Sequence, residues 1–165
     1  MGAKSALSDE QYLHTSFPDL DKEYRDGELV ERSLPTYPHS KATYRLLLFF
    51  GALAKTLALY PAPELRMKIR TGLYLIPDIA LFHGDEPPDV PESPPLVAIE
   101  ILSPDDRLEK VSDKLEEYRA WGVPHTWAVD PVAQKFYSND GKLVELDELS
   151  IPELGVTLRK PDIFD

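Results

Sequence analysis

Two runs of this chain are apolar enough to be central strands, and each carries one carboxylate in its interior. Leu73 to Phe82 is nearly continuous in apolar residues and is interrupted only at Pro77-Asp78. Leu96-Val97-Ala98-Ile99-Glu100-Ile101-Leu102 has Glu100 as its single charge. Unbroken apolar runs of this kind read as strands covered on both faces of a sheet. An acid is almost never fully buried alone, because desolvating a lone carboxylate costs several kcal/mol or forces it to take up a proton. Asp78 and Glu100 therefore each require a cation close by, either a metal ion or a basic side chain.

The segment after the second run offers such a cation. Ser103-Pro104-Asp105-Asp106 turns the chain into a helix that ends near Trp121, where Gly122 and Pro124 give stop signals. At the helical period, Leu108, Val111, Leu115 and Tyr118 form the apolar stripe, and Lys114 falls at its edge between Tyr118 and Trp121. Its ammonium can reach back to the sheet while its stem packs on the aromatic rings. Two acids from adjacent strands plus a lysine suit a hard, oxygen-ligated cation such as Mg²⁺ or Mn²⁺. Such an ion can bridge a phosphate oxygen and activate a water, and the lysine can stabilise charge on the phosphorus oxygens. The competing reading is structural: Glu100 paired with Lys114, and Asp78 capping a turn after Pro77.

The rest of the chain reads as one α/β domain. Its 165 residues fit a single core, with residues 1–19 as a flexible, polar N-terminal arm and 20–165 as the domain. Tyr24 to Glu31 places an Asp26-Gly27 turn between two short strands. Ser40 to about Tyr60 is expected to be a helix with Tyr44, Leu47, Leu48, Gly51 and Ala54 on one face, closed by Pro61 and Pro63. Arg66 to Arg70 alternates as a strand, and Leu73 to Phe82 follows the Thr71-Gly72 turn as one further strand. Gly84 to Pro95 is a proline-rich loop, Thr126 to Pro131 a strand, and Lys135-Phe136-Tyr137 with Leu143-Val144 a last hairpin.

Several chemistries are excluded. Without cysteine there is no disulfide, thiolate zinc site or cysteine nucleophile. His14, His39, His83 and His125 are too scattered for a tetrahedral zinc site. The N-terminus has no signal-peptide core, and the apolar stretch Leu46–Ala54 is far short of the roughly 17–25 residues of a membrane span. The expectation is a soluble, cytoplasmic protein.

Pro77-Asp78, Glu100-Ile101-Leu102-Ser103-Pro104, Lys114-Leu115-Glu116-Glu117-Tyr118, and Gly122-Val123-Pro124 leading to Trp127-Ala128-Val129-Asp130-Pro131 together resemble the bacterial restriction-endonuclease-like family called Uma-two, of the PD-(D/E)xK nuclease superfamily. The resemblance spans about residues 20–160. It implies a restriction-endonuclease-like core, a mixed central β-sheet flanked by α-helices, with Asp78 and Glu100 as metal-binding acids. Two positions after Glu100, where the superfamily usually has its lysine, this chain has Leu102. In the Uma-two pattern the lysine lies on the following helix, and Lys114 matches it. Glu28 matches a further family acid, implied to complete the metal site or support a second ion; read from the residues, it is equally an exposed hairpin charge. His39 matches a recurrent family position without an assigned role.

With 18 Lys and Arg against 29 Asp and Glu, the net charge of −11 opposes non-specific duplex binding. Residues 37–76 reverse that balance, with six bases to one acid. Lys41 is one candidate contact, and Arg66, Lys68 and Arg70 are expected to form a basic stripe on one strand face that could follow a phosphate backbone. The same stripe could instead be a charged edge that blocks aggregation. The favoured function is a Mg²⁺- or Mn²⁺-dependent DNA endonuclease, with Asp78, Glu100, Lys114 and Glu28 as catalytic residues and a homodimer suited to duplex cleavage. The alternative is a non-catalytic binding or assembly module on the same fold. A two-carboxylate glycosidase fits poorly, because Lys114 has no part in that chemistry.

Overall fold

A computed structural model describes residues 6–17 and 22–165. Its centre is a six-stranded mixed sheet. In chain order its strands are β3 (Leu59–Pro63), β6 (Ile79–His83), β7 (Val97–Ile101), β8 (His125–Asp130), β9 (Lys135–Asn139) and β10 (Leu143–Leu146), arranged β10-β9-β8-β7-β6-β3. Only the β7–β8 pair is parallel, and the helix α3 (Leu108–Trp121) makes the crossover between them. The long helix α2 (Tyr37–Leu57) covers one face and α3 the other. A second sheet, ordered β2-β1-β5-β4, is built from β1 (Glu23–Arg25), β2 (Glu28–Val30), β4 (Met67–Arg70) and β5 (Leu73–Leu75). The hairpin of β11 (Glu148–Ile151) and β12 (Val156–Arg159), with the short helix α4 (Lys160–Ile163), closes the α2 side.

The alternation along β6 and β7 explains the layers. Ile79, Leu81, Val97, Ile99 and Ile101 pack on the α2 side with Leu46 and Phe50. Ala80, Ala98 and Ala128 face α3, packing with Val111, Leu115 and Tyr118. Glu100 has the same parity as Ala98 and Leu102, so it points to the α3 side, where Ala128 of β8 is its cross-strand neighbour. Small residues beside it leave room for a polar side chain under the helix.

Several elements differ from the sequence expectation. The run Leu73 to Phe82 is two strands in two different sheets, because Ile76-Pro77-Asp78 carries the chain from one sheet to the other. Helix α2 begins at Tyr37, with Pro38 in its first turn where the missing N–H costs nothing, and ends at Leu57. Pro61 and Pro63 lie in β3, an edge strand, where proline is tolerated. The covered face of α2 is Ala42, Leu46 and Phe50, whereas Tyr44 and Leu48 are exposed. A helix apolar on most sides gives too little contrast to set its rotation from sequence.

Of the residues expected as a loose arm, 1–5 and 18–21 lie outside the described residues. Residues 6–17 are packed rather than loose: they carry helix α1 (Asp9–Leu13), whose Ser8 and Gln11 form a reciprocal capping box. The Tyr12 ring is fully buried against Tyr24 of β1 and Tyr74 of β5, and its hydroxyl donates to the Lys22 carbonyl. One aromatic residue among polar neighbours supplies this anchor and leaves little trace in a periodicity.

Candidate active site

Asp78 immediately precedes β6, and its neighbour Ile79 pairs with Ile99 of β7. Glu100 follows Ile99, so the antiparallel register brings the two acids to the same end of adjacent strands. They open onto a cleft of about 660 Å³ between the two sheets and α3, which also contains Glu23, Arg32, His39 and Lys114. The structure thus brings Asp78, Glu100 and Lys114 together.

Lys114 is the hub. From the second turn of α3 its Nζ lies 2.6 Å from Glu23 Oε1 and 2.9 Å from Glu100 Oε1, and it donates at 3.0 Å to the Ile76 carbonyl. These three acceptors match the three N–H bonds of an ammonium. Burial alone lowers the lysine pKa, but Glu100 and Glu23 more than offset this and hold it raised. Tyr118, one turn further along α3, donates its hydroxyl to Glu100 Oε1 at 3.2 Å. Gly122 ends the helix in a left-handed conformation at φ 116°, which a side chain would resist.

Asp78 is fixed from two sides. Its Oδ2 accepts the Ile101 amide at 2.6 Å, and its Oδ1 lies 3.2 Å from His39 Nε2 and 3.3 Å from an Arg32 terminal nitrogen. Burial raises its pKa, but the His39 hydrogen bond and charge outweigh burial and leave it lowered. Glu100 behaves oppositely: burial first, then Asp78 and Glu23, push it up to about 7 although Lys114 pulls it down. Lys114 alone serves Glu23 and Glu100, Arg32 and His39 face Asp78, and across the cleft lining acids outnumber lysines and arginines, a balance that favours a further cation.

The donor set fits a divalent ion of the magnesium class: all oxygens, anionic and partly desolvated. Among the described residues no group of three or more His, Cys, Asp or Glu side chains converges into a complete protein cage. Magnesium does not need one, since it is commonly held by one or two carboxylates.

Glu28 stands apart from this group. It is exposed beside the Asp26-Gly27 turn and does not line the cleft, although it stands opposite Arg25 and shares the sheet face of Arg25 and Glu23. The acid that enters the site is Glu23 on the preceding strand, buried and bonded to Lys114 and to the Ile76 amide. Three residues of strand give too little alternation to find it. Arg32 was also missed, since it sits in an irregular segment where sequence patterns are silent, and His39 gains a partner in Asp78.

The expected basic contacts also fall elsewhere. None of Lys41, Arg66, Lys68 and Arg70 lines the cleft. Lys41 pairs with Asp165, Lys68 with Glu92 and Arg70 with Asp26, while the Arg66 guanidinium lies 5.2 Å from the Tyr12 ring centre. A bulge between Lys68 and Arg70 interrupts the alternation on which the stripe depends. The cleft cations without an ion pair among the described residues are Arg107 and Lys110, at the start of α3.

Comparison with known proteins accords with this architecture. The model of the family Uma2, described as "Putative restriction endonuclease", matches residues 9–164. A crystal structure from Anabaena variabilis, of a "putative nuclease belonging to DUF820", superposes with a TM-score of 0.81 at 20% identity, covering 96% of this chain and 97% of its own. No curated protein matches. No helix among the described residues is long and apolar enough to cross a membrane.

Proposed function

This chain belongs to the Uma2 family of restriction-endonuclease-like proteins, and from that premise we propose that it is a divalent-metal-dependent endonuclease that hydrolyses phosphodiester bonds in DNA. The observation that carries this reading is the convergence of Glu23 and Glu100 on one lysine, with Asp78 beside them, in an open cleft. Asp78 and Glu100 would hold Mg²⁺ or Mn²⁺. When bound, the ion would polarise a phosphate oxygen and lower the pKa of an attacking water.

The protein's own groups have separable tasks. Lys114 keeps a permanent positive charge beside the acids, where it stabilises charge developing on the phosphorus oxygens. Glu23 and the Ile76 carbonyl fix its position. Tyr118 orients Glu100 through its hydroxyl, while the Ile101 amide and His39 keep Asp78 ionised and aimed. Arg107 and Lys110 at the mouth would meet the strand's phosphates.

A second reading has its own support. Eight acids line the cleft against five lysines and arginines, a balance that repels a polyanion unless metal enters. A non-catalytic module on the same fold would keep Glu100 and Lys114 simply as an ion pair. Plasmid nicking separates the two. The nuclease reading expects nicking only with Mg²⁺ or Mn²⁺, lost in Asp78→Ala and Lys114→Ala. Full activity in Asp78→Ala overturns it, and absence of cleavage with any divalent ion favours the module.

A further inference from the structure

The residue in the cleft whose contacts fit its chemistry least well is Arg32. Other arginines use the planar fork on one acid: Arg119 grips Glu116 through two nitrogens at 2.8 and 2.6 Å, and Arg70 grips Asp26 at 2.9 and 3.2 Å. Arg32 instead splits its two terminal nitrogens between different acids at long range, 3.3 Å to Asp78 and 3.4 Å to Glu64. Its side chain is only 14% exposed, so this poorly matched guanidinium is largely withdrawn from water. It sits in the irregular segment between β2 and α2, where no ladder fixes its backbone.

Arg32 also occupies one coordination direction of Asp78, an acid that would hold a divalent ion. Asp78 Oδ2 accepts the Ile101 amide, while Oδ1 faces two donors, Arg32 and His39, which fill its two lone pairs, so an ion coordinated through Oδ1 must displace one of them. A dication repels the permanently charged guanidinium, whereas an imidazole can give up its proton, so Arg32 is the donor that a metal ion displaces. Glu64, its other partner, is 61% exposed and a weak anchor. A guanidinium freed inside an acid-lined cleft finds its best complement in an incoming phosphodiester, whose paired oxygens match the fork.

We propose that Arg32 is the substrate-phosphate ligand of this cleft, held on Asp78 until a divalent ion takes its place. This rests on the nuclease reading and adds that metal entry and substrate binding are coupled through one side chain. The arginine is a resident counter-ion in the metal-free protein and a phosphate clamp in the metal-loaded one.

Calorimetric titration with Mn²⁺ tests the exchange without reference to activity. Arg32→Met and Arg32→Gln, the latter retaining a donor for Asp78, are expected to bind Mn²⁺ about tenfold more tightly than the wild type, the scale on which a neighbouring charge alters a carboxylate's cation affinity. Arg32→Lys keeps the charge and is expected to stay within about threefold of the wild type. In Ca²⁺, a fluorescein-labelled single-stranded oligodeoxynucleotide is expected to bind both neutral variants about tenfold more weakly, the loss of one charge-assisted phosphate contact. Unchanged or weaker Mn²⁺ binding in the neutral variants overturns the proposal, as does Arg32→Lys behaving like Arg32→Met. If the wild type nicks DNA with Mn²⁺ while these affinities do not move, the exchange alone fails. If no protein binds Mn²⁺ and none nicks DNA, the nuclease reading fails with it.

Discussion

Two groups of charged side chains sit at opposite ends of the second sheet's influence and show what burial does to charge. On the edge strand β4, Lys68 and Arg70 face solvent, each with one acid of its own, Glu92 and Asp26, that is 69% exposed. In the cleft, Glu23, Asp78, Glu100 and Lys114 are all largely enclosed, and each shares its partners with others. The first arrangement is a set of independent pairs that water and salt screen, and it adds little stability. The second is a network in which removing any member leaves a buried charge behind. Only the second can do chemistry, because its groups are aimed before a ligand arrives.

The largest expected effect comes from deleting the hub. Lys114→Met leaves Glu23 and Glu100 facing each other without their shared cation. We expect a loss of about 3–5 kcal/mol in urea denaturation without metal, whereas Lys68→Met stays within about 0.5 kcal/mol of the wild type. A loss below about 1 kcal/mol in Lys114→Met would mean that water reaches the centre freely, and the contrast would dissolve.

The pH dependence sharpens the same contrast. Glu100 is pushed up to about 7 in the fold, against an ordinary value of 4.5. Between these values the native protein holds a proton that the unfolded chain has released. Stability from this group is therefore full below about 4.5 and falls as pH rises toward 7. In metal-free buffer, Glu100→Gln is expected to flatten this decline relative to the wild type. Raised pKa at His39 adds loss in the same direction at higher pH, so the difference between the two proteins is the informative measurement. Identical slopes would mean that Glu100 titrates as if solvated. Tyr118→Phe is smaller still: losing one bond to a charged acceptor should cost about 1.5–3 kcal/mol if Glu100 is ionised and less at pH 5, where it is protonated.

Which parts of this were legible beforehand follows from the same physics. Asp78 and Glu100 stood out because each breaks an apolar run, a violation visible in one dimension, and Lys114 because it borders the apolar stripe of the next helix. The acids' place on neighbouring strands was expected, whereas the register that sets Ile79 opposite Ile99 is seen only in the structure. Glu23 and Arg32 violate nothing: one lies in a strand of three residues, the other in an irregular segment, and both reach the cleft only through the chain's path in three dimensions. The basic stripe was misleading for the opposite reason. Alternation fixes which residues share a strand face, yet the bulge at β4 and the acids Glu92 and Asp26, distant in sequence, decide what that face presents. The hairpin of β11 and β12 was missed because Glu148–Ile151 alternates over only four residues beside a proline.

The smallest expected effect is also the one that most directly divides the two regions. If nucleic acid follows β4, then Lys68→Ala with Arg70→Ala should remove two phosphate contacts and flatten the salt dependence of oligonucleotide binding, by roughly one unit of slope for each contact. If it follows the cleft, those substitutions leave the slope unchanged and only free Glu92 and Asp26, raising the surface's negative charge slightly. The structure favours the cleft: Lys68 and Arg70 are already neutralised by acids, so a phosphate arriving there must displace an existing partner and gains little. Arg107 and Lys110 have no such partner among the described residues and stand at the cleft mouth. Fluorescence anisotropy in Ca²⁺ at several salt concentrations should therefore show a reduced slope for Arg107→Ala with Lys110→Ala, and none for the β4 pair. A reduced slope confined to the β4 pair would move the nucleic-acid path to the sheet edge and leave the cleft acids without a substrate to act on.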